Sequence, residues 1–521
     1  MPVHIPKLLG SDTELANFVL GVDSPSGTGA TASRLLLRQI DGLPQRQPPM
    51  GLPEDGPQIP GFTMGEWGRR FLSANGASVY IDSHHLELNT PETLRATDYV
   101  AAWHAMLRIA DQARRKAVAS LGSGQSLEVM ANCTDRQGNS FGNHTSVAIT
   151  KAAWKNLFER KVHHLLWLAS YQVSSILFTG AGKVGSENGA PPAQFQLSER
   201  ADFFGQLTSL ETTIPNRGIV NSRDESLAGA KDNHARLHCI FYDTNLCHTA
   251  MFLRAAVLQI ILSMLEAEEV EPALILDDPI RAMQVISRDL TFRAKLQTSA
   301  KQTVTAVDLQ SMFLERAARF VDQGRCDEIV PEARQAIKLW ADTLEKLRTN
   351  DLAVLARRLD WALKLSILNR AMAKRRELNW DSPEIRYADL QYANIDAARG
   401  LYWAYERAGL VDRIATDERI AHLQANPPED TRAWGRAMLL RRAAPGTVSA
   451  VDWDSISFQI RENHGRNFWS YTRRLAMDDP LGFTKETVEN AFQQKLTLEE
   501  ILNELERRSP AQYFSLPMAL R

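Results

Sequence analysis

The hydrophobic period of this chain changes along its length, and that segregation bounds the folds open to it. In Ala77–Asp82, "ASVYID", apolar and polar residues alternate as on a strand with one buried face. Beyond residue 247 the pattern becomes helical. Phe252–Leu265 is an apolar run, Leu309, Phe313, Ala317 and Phe320 share one helical face, and Leu352–Ala373 continues the spacing. Strands early and helices late predict an α+β fold.

Between Gly42 and Gly61 the prolines at 44, 48, 49, 53, 57 and 60 exclude a helix or a central strand, so a long loop over 42–66 is expected, with a lid as its functional reading. Thr90-Pro91-Glu92 reads as N-cap, first-position proline and first-turn acid of a helix reaching Gly122, with Val100, Trp103, Leu107 and Ala110 on its apolar face. The 521 residues, 44% of them hydrophobic, can fill more than one core. We place a large domain at 1–425 and a small one at 426–521, divided at "HLQANPPEDTRAW".

Charge narrows the partners. With 60 Lys+Arg against 62 Asp+Glu the chain lacks the basic excess that nucleic acid binding requires. Phe252–Leu265 contains Arg254 and falls short of the ~20 apolar residues a bilayer crossing needs, which predicts a buried helix. The N-terminus lacks the charged-then-apolar pattern of a signal peptide. Cys133, Cys239, Cys247 and Cys326 have neither zinc-site nor disulfide-scaffold spacing. A cytoplasmic monomer is expected.

Four constellations could carry chemistry. In "GSDTEL", Asp12 and Glu14 would share one face of a strand, where two carboxylates repel unless a cation such as Mg²⁺ lies between them. In "YIDSHHLEL", Tyr80 and Asp82 share a face, and His85 and Glu87 follow at spacing two, which suits a metal or proton-transfer site. Gly180, Gly182 and Gly185 of "TGAGKVGSENGAPP" match GxGxxG, but "SENGAPP" cannot open the helix a dinucleotide site requires. It reads instead as a mobile turn whose backbone could approach a ligand. Arg223, Arg236 and His238 are candidates for phosphate contact, the arginines by bidentate pairing.

In order along the chain, "GSDTEL", "NGASVYIDSHHLELNTPET", "NCTDRQGNSFGNH", "FTGAGKVG" with "FQLSERADFF", "IVNSRDE", "ARLHCIFYDTNL", "LDDPIRAMQVISRD", "LNWDSPEIRYADLQYANIDAARGLY" and "VDWDSI" resemble the depupylase and Pup-ligase family, relatives of glutamine synthetase. The resemblance spans nearly the whole chain. It implies a glutamine-synthetase-like cradle of antiparallel strands flanked by helices, with a small C-terminal domain. It puts metal-binding acids at Asp12, Glu14 and Glu87, Tyr80 beside the metal, and the catalytic aspartate at Asp82. Thr90, Arg223 and Trp453 would touch the nucleotide, and His144 and His238 would line the metal and phosphate region. The implied cofactors are ATP, or ADP with phosphate, and Mg²⁺. The implied partner is a Pup-like or other ubiquitin-like modifier.

From Asp82 the histidine stands at +3 and the glutamate at +5, the depupylase spacing, whereas ligases carry one more residue; the proline-rich segment resembles a depupylase insertion. Both favour hydrolysis at the modifier's terminal Glu or Gln. A ligase acting through a glutamyl phosphate and a non-catalytic modifier-binding protein are the alternatives. The chain departs from the family pattern at Asp12 (a glutamate in the family), Ser78 (an arginine), Ser83 (a histidine), Thr145 (a glutamate) and around Ser226. These changes bear on how a nucleotide is held.

Overall fold

The computed structural model describes residues 4–23, 30–44, 69–224, 228, 233–464, 467–493, 496–508 and 513–516. Strand β1 (Leu9–Leu20) organises the main sheet because its sequence alternates without interruption: Leu9, Ser11, Thr13, Leu15, Asn17 and Val19 are buried, and the even-numbered residues between them are half-buried. β1 pairs antiparallel with the strands Ser126–Met130, Asn143–Thr150 and His85–Asn89. His234–Cys239 extends the sheet beyond Asn143–Thr150, while Ser78–Asp82, Arg70–Phe71 and Leu43–Pro44 extend it beyond His85–Asn89, giving eight strands. The odd-numbered face of β1 belongs to the principal hydrophobic core, with Trp103, Trp167, Trp340 and Trp361. The opposite face is a cradle. This is the α+β cradle flanked by helices that the sequence leads one to expect.

The apolar run at Phe252–Leu265 lies in the helix His248–Glu266, every residue of which is buried in the protein. Arg254 is tolerated there because its guanidinium donates to Asn143 Oδ1, the Asp243 carbonyl and Tyr99 Oη, all at 2.8 Å. All four cysteines are buried and free.

Three expectations need correction. The helix assigned to Thr90 onward begins at Ala96 and runs to Val118. Thr90 N–H donates to the Ser11 carbonyl at 2.9 Å and Thr93 exchanges backbone hydrogen bonds with Leu9, so sheet pairing holds the segment extended. The pattern at Leu352–Ala373 is two helices, Leu352–Leu355 and Asp360–Lys374, broken at the extended Leu359; buried Asp360 opens the second, its carboxylate accepting from Leu246 N–H, Cys247 N–H and Tyr392 Oη. The Gly-rich turn is pinned rather than mobile: Lys183 pairs with Asp202 at 2.7 Å, Ala181 N–H donates to Asp243, and Val184 N–H to Asp389. Its glycines serve close packing. A Cβ on Gly180 would fall 2.2 Å from the Leu197 carbonyl oxygen, and one on Gly182 2.9 Å from Trp361 Cα.

A second hydrophobic cluster contains Trp434, Leu439, Ile456, Phe458, Leu475, Phe492 and Leu502, and it includes Phe71 from the sheet. We propose the division at 425/426 on this ground. The proline-rich segment lies outside the described residues except for Leu43–Pro44 at the sheet edge.

Glu92 ties this second cluster to the sheet. Its carboxylate accepts from Arg432 Nε at 2.8 Å and from Arg436 Nη2, while Arg436 also donates to the Gly76 carbonyl at 2.9 Å. Burial opposes ionisation, but the two guanidiniums hold Glu92 down at about 2. A depressed folded-state value means stability that is present at neutral pH and is lost as pH falls from the ordinary glutamate range toward about 2. Urea unfolding between pH 5 and pH 2 is therefore expected to show less acid sensitivity in Glu92→Gln than in the native protein. Arg436→Met, which leaves Glu92 with one partner, is expected to cost about 3–5 kcal/mol at pH 7.

Candidate active site

Register assembles the site. Glu14 stands opposite Glu87, and Glu87 opposite Tyr80, so three strands place these residues in one cross-sheet row. Asp12 faces His144 on one side and Asn89 on the other, and His238 faces Ser146 one strand further. All of these side chains lie on the cradle face because strand residues of like parity do. Asp82 closes the first group at the end of its strand, opposite His85.

The tip between Asp82 and His85 is a two-residue turn, Ser83-His84, with φ of 49° and 99°. Positive φ at two non-glycine residues is costly and persists only where the surroundings enforce it. Asn17 does so: its Nδ2 donates to the His84 carbonyl at 3.2 Å and its Oδ1 accepts from Leu86 N–H at 2.8 Å. Ser83 Oγ donates to Asp82 Oδ1 at 3.0 Å. His85 is anchored by Nδ1, 3.0 Å from the Leu15 carbonyl oxygen, and stacks on Phe141.

Two ligand sets follow. Glu14, Asp82 and Glu87 offer carboxylate oxygens within 4.8 Å of one another, and Asp12, His144 and His238 offer a mixed oxygen and imidazole set with the same spacing. The first set lacks cationic charge. Burial, with Asp82 next in effect, pushes Glu14 up to about 8, and burial with Asp12, Glu14 and Asp82 pushes Glu87 well above the usual range. Among the described residues no lysine or arginine lies within ion-pair distance of these three acids. Buried carboxylates so placed fit a divalent cation with oxygen ligands. Tyr80 Oη donates to Glu87 Oε1 at 2.6 Å and fixes that carboxylate's orientation.

In the second set, His144 Nδ1 lies 3.1 Å from Asp12 Oδ2 and His238 Nε2 4.0 Å from the same oxygen. Burial opposes the charge of Asp12, but the two imidazoles hold it below the ordinary carboxylate range. Burial pushes His238 well down from the ordinary imidazole range. Ser146 Oγ, 3.2 Å from His238 Nδ1, fixes the far side of that ring. Gly142 makes room: a Cβ there would fall 2.2 Å from His144 Nε2. Arg236 and Arg223 add positive potential at His238.

Asp12, Glu14, Tyr80, Asp82, Glu87, His144 and His238 are thus brought together, with Arg223 and Arg236 beside them. Trp453, at the edge of the second cluster, reaches the row through Arg69, whose guanidinium lies 4.5 Å over the Tyr80 ring and 6.0 Å from the Trp453 ring. Thr90 is not brought in. Its Oγ1 accepts from Ser11 N–H at 2.9 Å on the odd-numbered face of β1, which turns it away from the cradle. Thr145 also lies away from the cradle. It is fully buried on the core face, 3.0 Å from Tyr99 Oη, so a carboxylate at that position would not have faced the cradle.

The sequence reading missed Asn17, Arg69 and Arg200. Arg200 is buried, donates to Ser140 Oγ at 3.2 Å and opposes the upward push on Glu14. Asn17 carried a readable signal, a polar residue on the apolar parity of β1. Arg69 carried none, since its register depends on a two-residue strand. Replacing Asp12 with Asn removes the anion between the two imidazoles. Titration calorimetry is expected to show divalent-metal affinity falling about 10–100-fold while the unfolding temperature changes little.

The family model described as Pup-ligase protein matches residues 44–457. A Pup deamidase/depupylase of Mycolicibacterium smegmatis is 34% identical over 389 residues, 75% of each chain. A Pup–protein ligase of Geodermatophilus obscurus is also 34% identical, over 395 residues covering 74% of this chain and 84% of the relative. The solved structure of the Pup ligase PafA in complex with ADP superposes with a TM-score of 0.70 at 25% identity, covering 84% of this chain and 90% of that one. Since the family model covers most of the chain, and the depupylase matches over three quarters of both lengths, the chain belongs to the Pup-ligase protein family.

Proposed function

We propose that this protein is a depupylase-like amidase that hydrolyses the isopeptide or side-chain amide bond at the C-terminal Glu or Gln of a Pup-like modifier. The observation that carries the reading is Asp82, set at the tip of a strained two-residue turn beside Glu14 and Glu87. The tightness of that turn corresponds to the +3/+5 spacing by which the sequence resembles depupylases. Identity to a Pup deamidase/depupylase supports the substrate class.

The site fits a nucleotide with Mg²⁺. Glu14 and Glu87 would hold one metal with Tyr80 orienting Glu87, Asp12, His144 and His238 would hold a second, and Arg223, Arg236 and Trp453 would contact the nucleotide. When bound, Mg²⁺ would supply positive charge to oppose the negative charge developing on the amide oxygen. Asp82 then acts on the bond itself. In the hydrolytic direction its carboxylate takes the proton of the water attacking the carbonyl carbon and passes it to the departing lysine amine or ammonia as the C–N bond breaks. Alternatively it attacks that carbon itself, expelling the amine and leaving an anhydride that water then hydrolyses to free Asp82.

A ligase is the second reading, favoured by equal identity to a Pup–protein ligase. There Asp82 would take the proton of an incoming lysine amine. One assay separates the two. The protein, Mg·ATP and a Pup–lysine isopeptide conjugate are incubated and followed by mass spectrometry, beside a parallel reaction of free Pup and an acceptor protein. Cleavage of the conjugate is expected, and Asp82→Asn is expected to lower its rate about 10²–10⁴-fold. Ligation without cleavage would establish the second reading. Undiminished cleavage by the variant would remove Asp82 from the chemistry.

A further inference from the structure

Arg69 has no role in the scheme above, yet the fold delivers it to the end of the acid row. The register that pairs Arg70 with Val79 and Phe71 with Ser78 sets Arg69, one step further, across from Tyr80. Its guanidinium stacks over the Tyr80 ring, 4.5 Å from the centroid. Tyr80 Oη in turn donates to Glu87 Oε1. On the other side stands the Trp453 ring, at 6.0 Å. Glu87 and Asp452 help to keep Arg69 charged.

The neighbouring cation is committed elsewhere. Arg436 lies 4.8 Å from the Trp453 ring but donates to Glu92, the Gly76 carbonyl and the Trp453 carbonyl. Arg69 carries five N–H donors in a planar fork, and its contact with Tyr80 is through the ring face. Nearby on the same face, Ser78 Oγ and Asn89 Nδ2 stand across from each other, buried and without a hydrogen-bond partner. The row therefore holds acids suited to metal, a charged fork over the Tyr80 ring with Trp453 nearby, and unpaired buried polar atoms.

We propose that Arg69 is a nucleotide-binding residue, its guanidinium gripping phosphate oxygens of the bound nucleotide at the seam between the sheet and the second cluster. This rests on the nucleotide reading above. It gives the cradle a guanidinium one strand away from Ser78. Trp453 stands 6.0 Å from the fork and Asp452 adds negative potential there, so the second cluster shapes the site without supplying the cation.

The test uses the full chain with Mg·ADP as probe, read by titration calorimetry, and thermal unfolding of the nucleotide-free protein as control. Arg69→Met keeps an unbranched apolar side chain against Tyr80 and removes the charge. Its Kd for Mg·ADP is expected to rise at least ~10-fold with the unfolding temperature of the free protein little changed. Arg69→Lys keeps the charge without the fork, and its Kd is expected to rise about 3–10-fold, which keeps the proposal testable if the Met variant fails to fold. Native affinity in either folded variant overturns the proposal and leaves the nucleotide reading standing. Failure of the unmodified protein to bind Mg·ADP removes that reading, and the proposal with it.

Discussion

Carboxylates placed side by side in a poorly hydrated cradle are the constraint around which this structure is arranged. Each would rather be hydrated or neutral, and burial pushes Glu14 and Glu87 upward in consequence. The fold tolerates them because β1 is central, so the odd-numbered face of the same strand is packed into the core and keeps the register fixed. A slip of one residue would carry Asp12 and Glu14 into that core and Leu15 into the cradle. Function and stability are thus assigned to opposite parities of one strand.

The supporting residues answer the same difficulty. Tyr80 donates to Glu87, Ser83 to Asp82, and His144 stands against Asp12, so three of the four acids have an oriented neighbour while open oxygens remain. Both the amide nitrogen and oxygen of Asn17 bind the turn that carries Asp82. Strain at Ser83 and His84 is the cost of presenting that aspartate at the end of a strand rather than within it. The second cluster is joined to the cradle by largely buried ionic contacts, with Glu92 clasped by Arg432 and Arg436, which set the seam where Trp453 approaches Arg69.

Much of this was legible in the residues. The parity of Asp12 and Glu14, the alternation of "ASVYID" and the late helical periods are local signals, and local signals survive into the fold when a buried face enforces them. The helix start at Thr90 was misread for the complementary reason. Thr90-Pro91-Glu92 has sound capping chemistry, yet Ser11 and Leu9 offered the same backbone groups partners on β1, and Glu92 had two arginines 340 and 344 residues away. The Gly-rich turn was misread likewise, since nothing within it announces that Asp202, Asp243 and Asp389 will fix it.

By itself, then, the sequence determined the α+β class, the family, the face on which each strand acid would lie and the identity of the acids and imidazoles that could ligate a cation. Those are properties of period and residue chemistry, available without knowing what packs against what. Only the tertiary structure decided which strands are neighbours, and so that Glu87 meets Glu14, that Thr145 and Thr90 face the core, and that Arg69 arrives over Tyr80. Register across antiparallel strands is set by the closing of distant segments onto one sheet, and no local pattern encodes it.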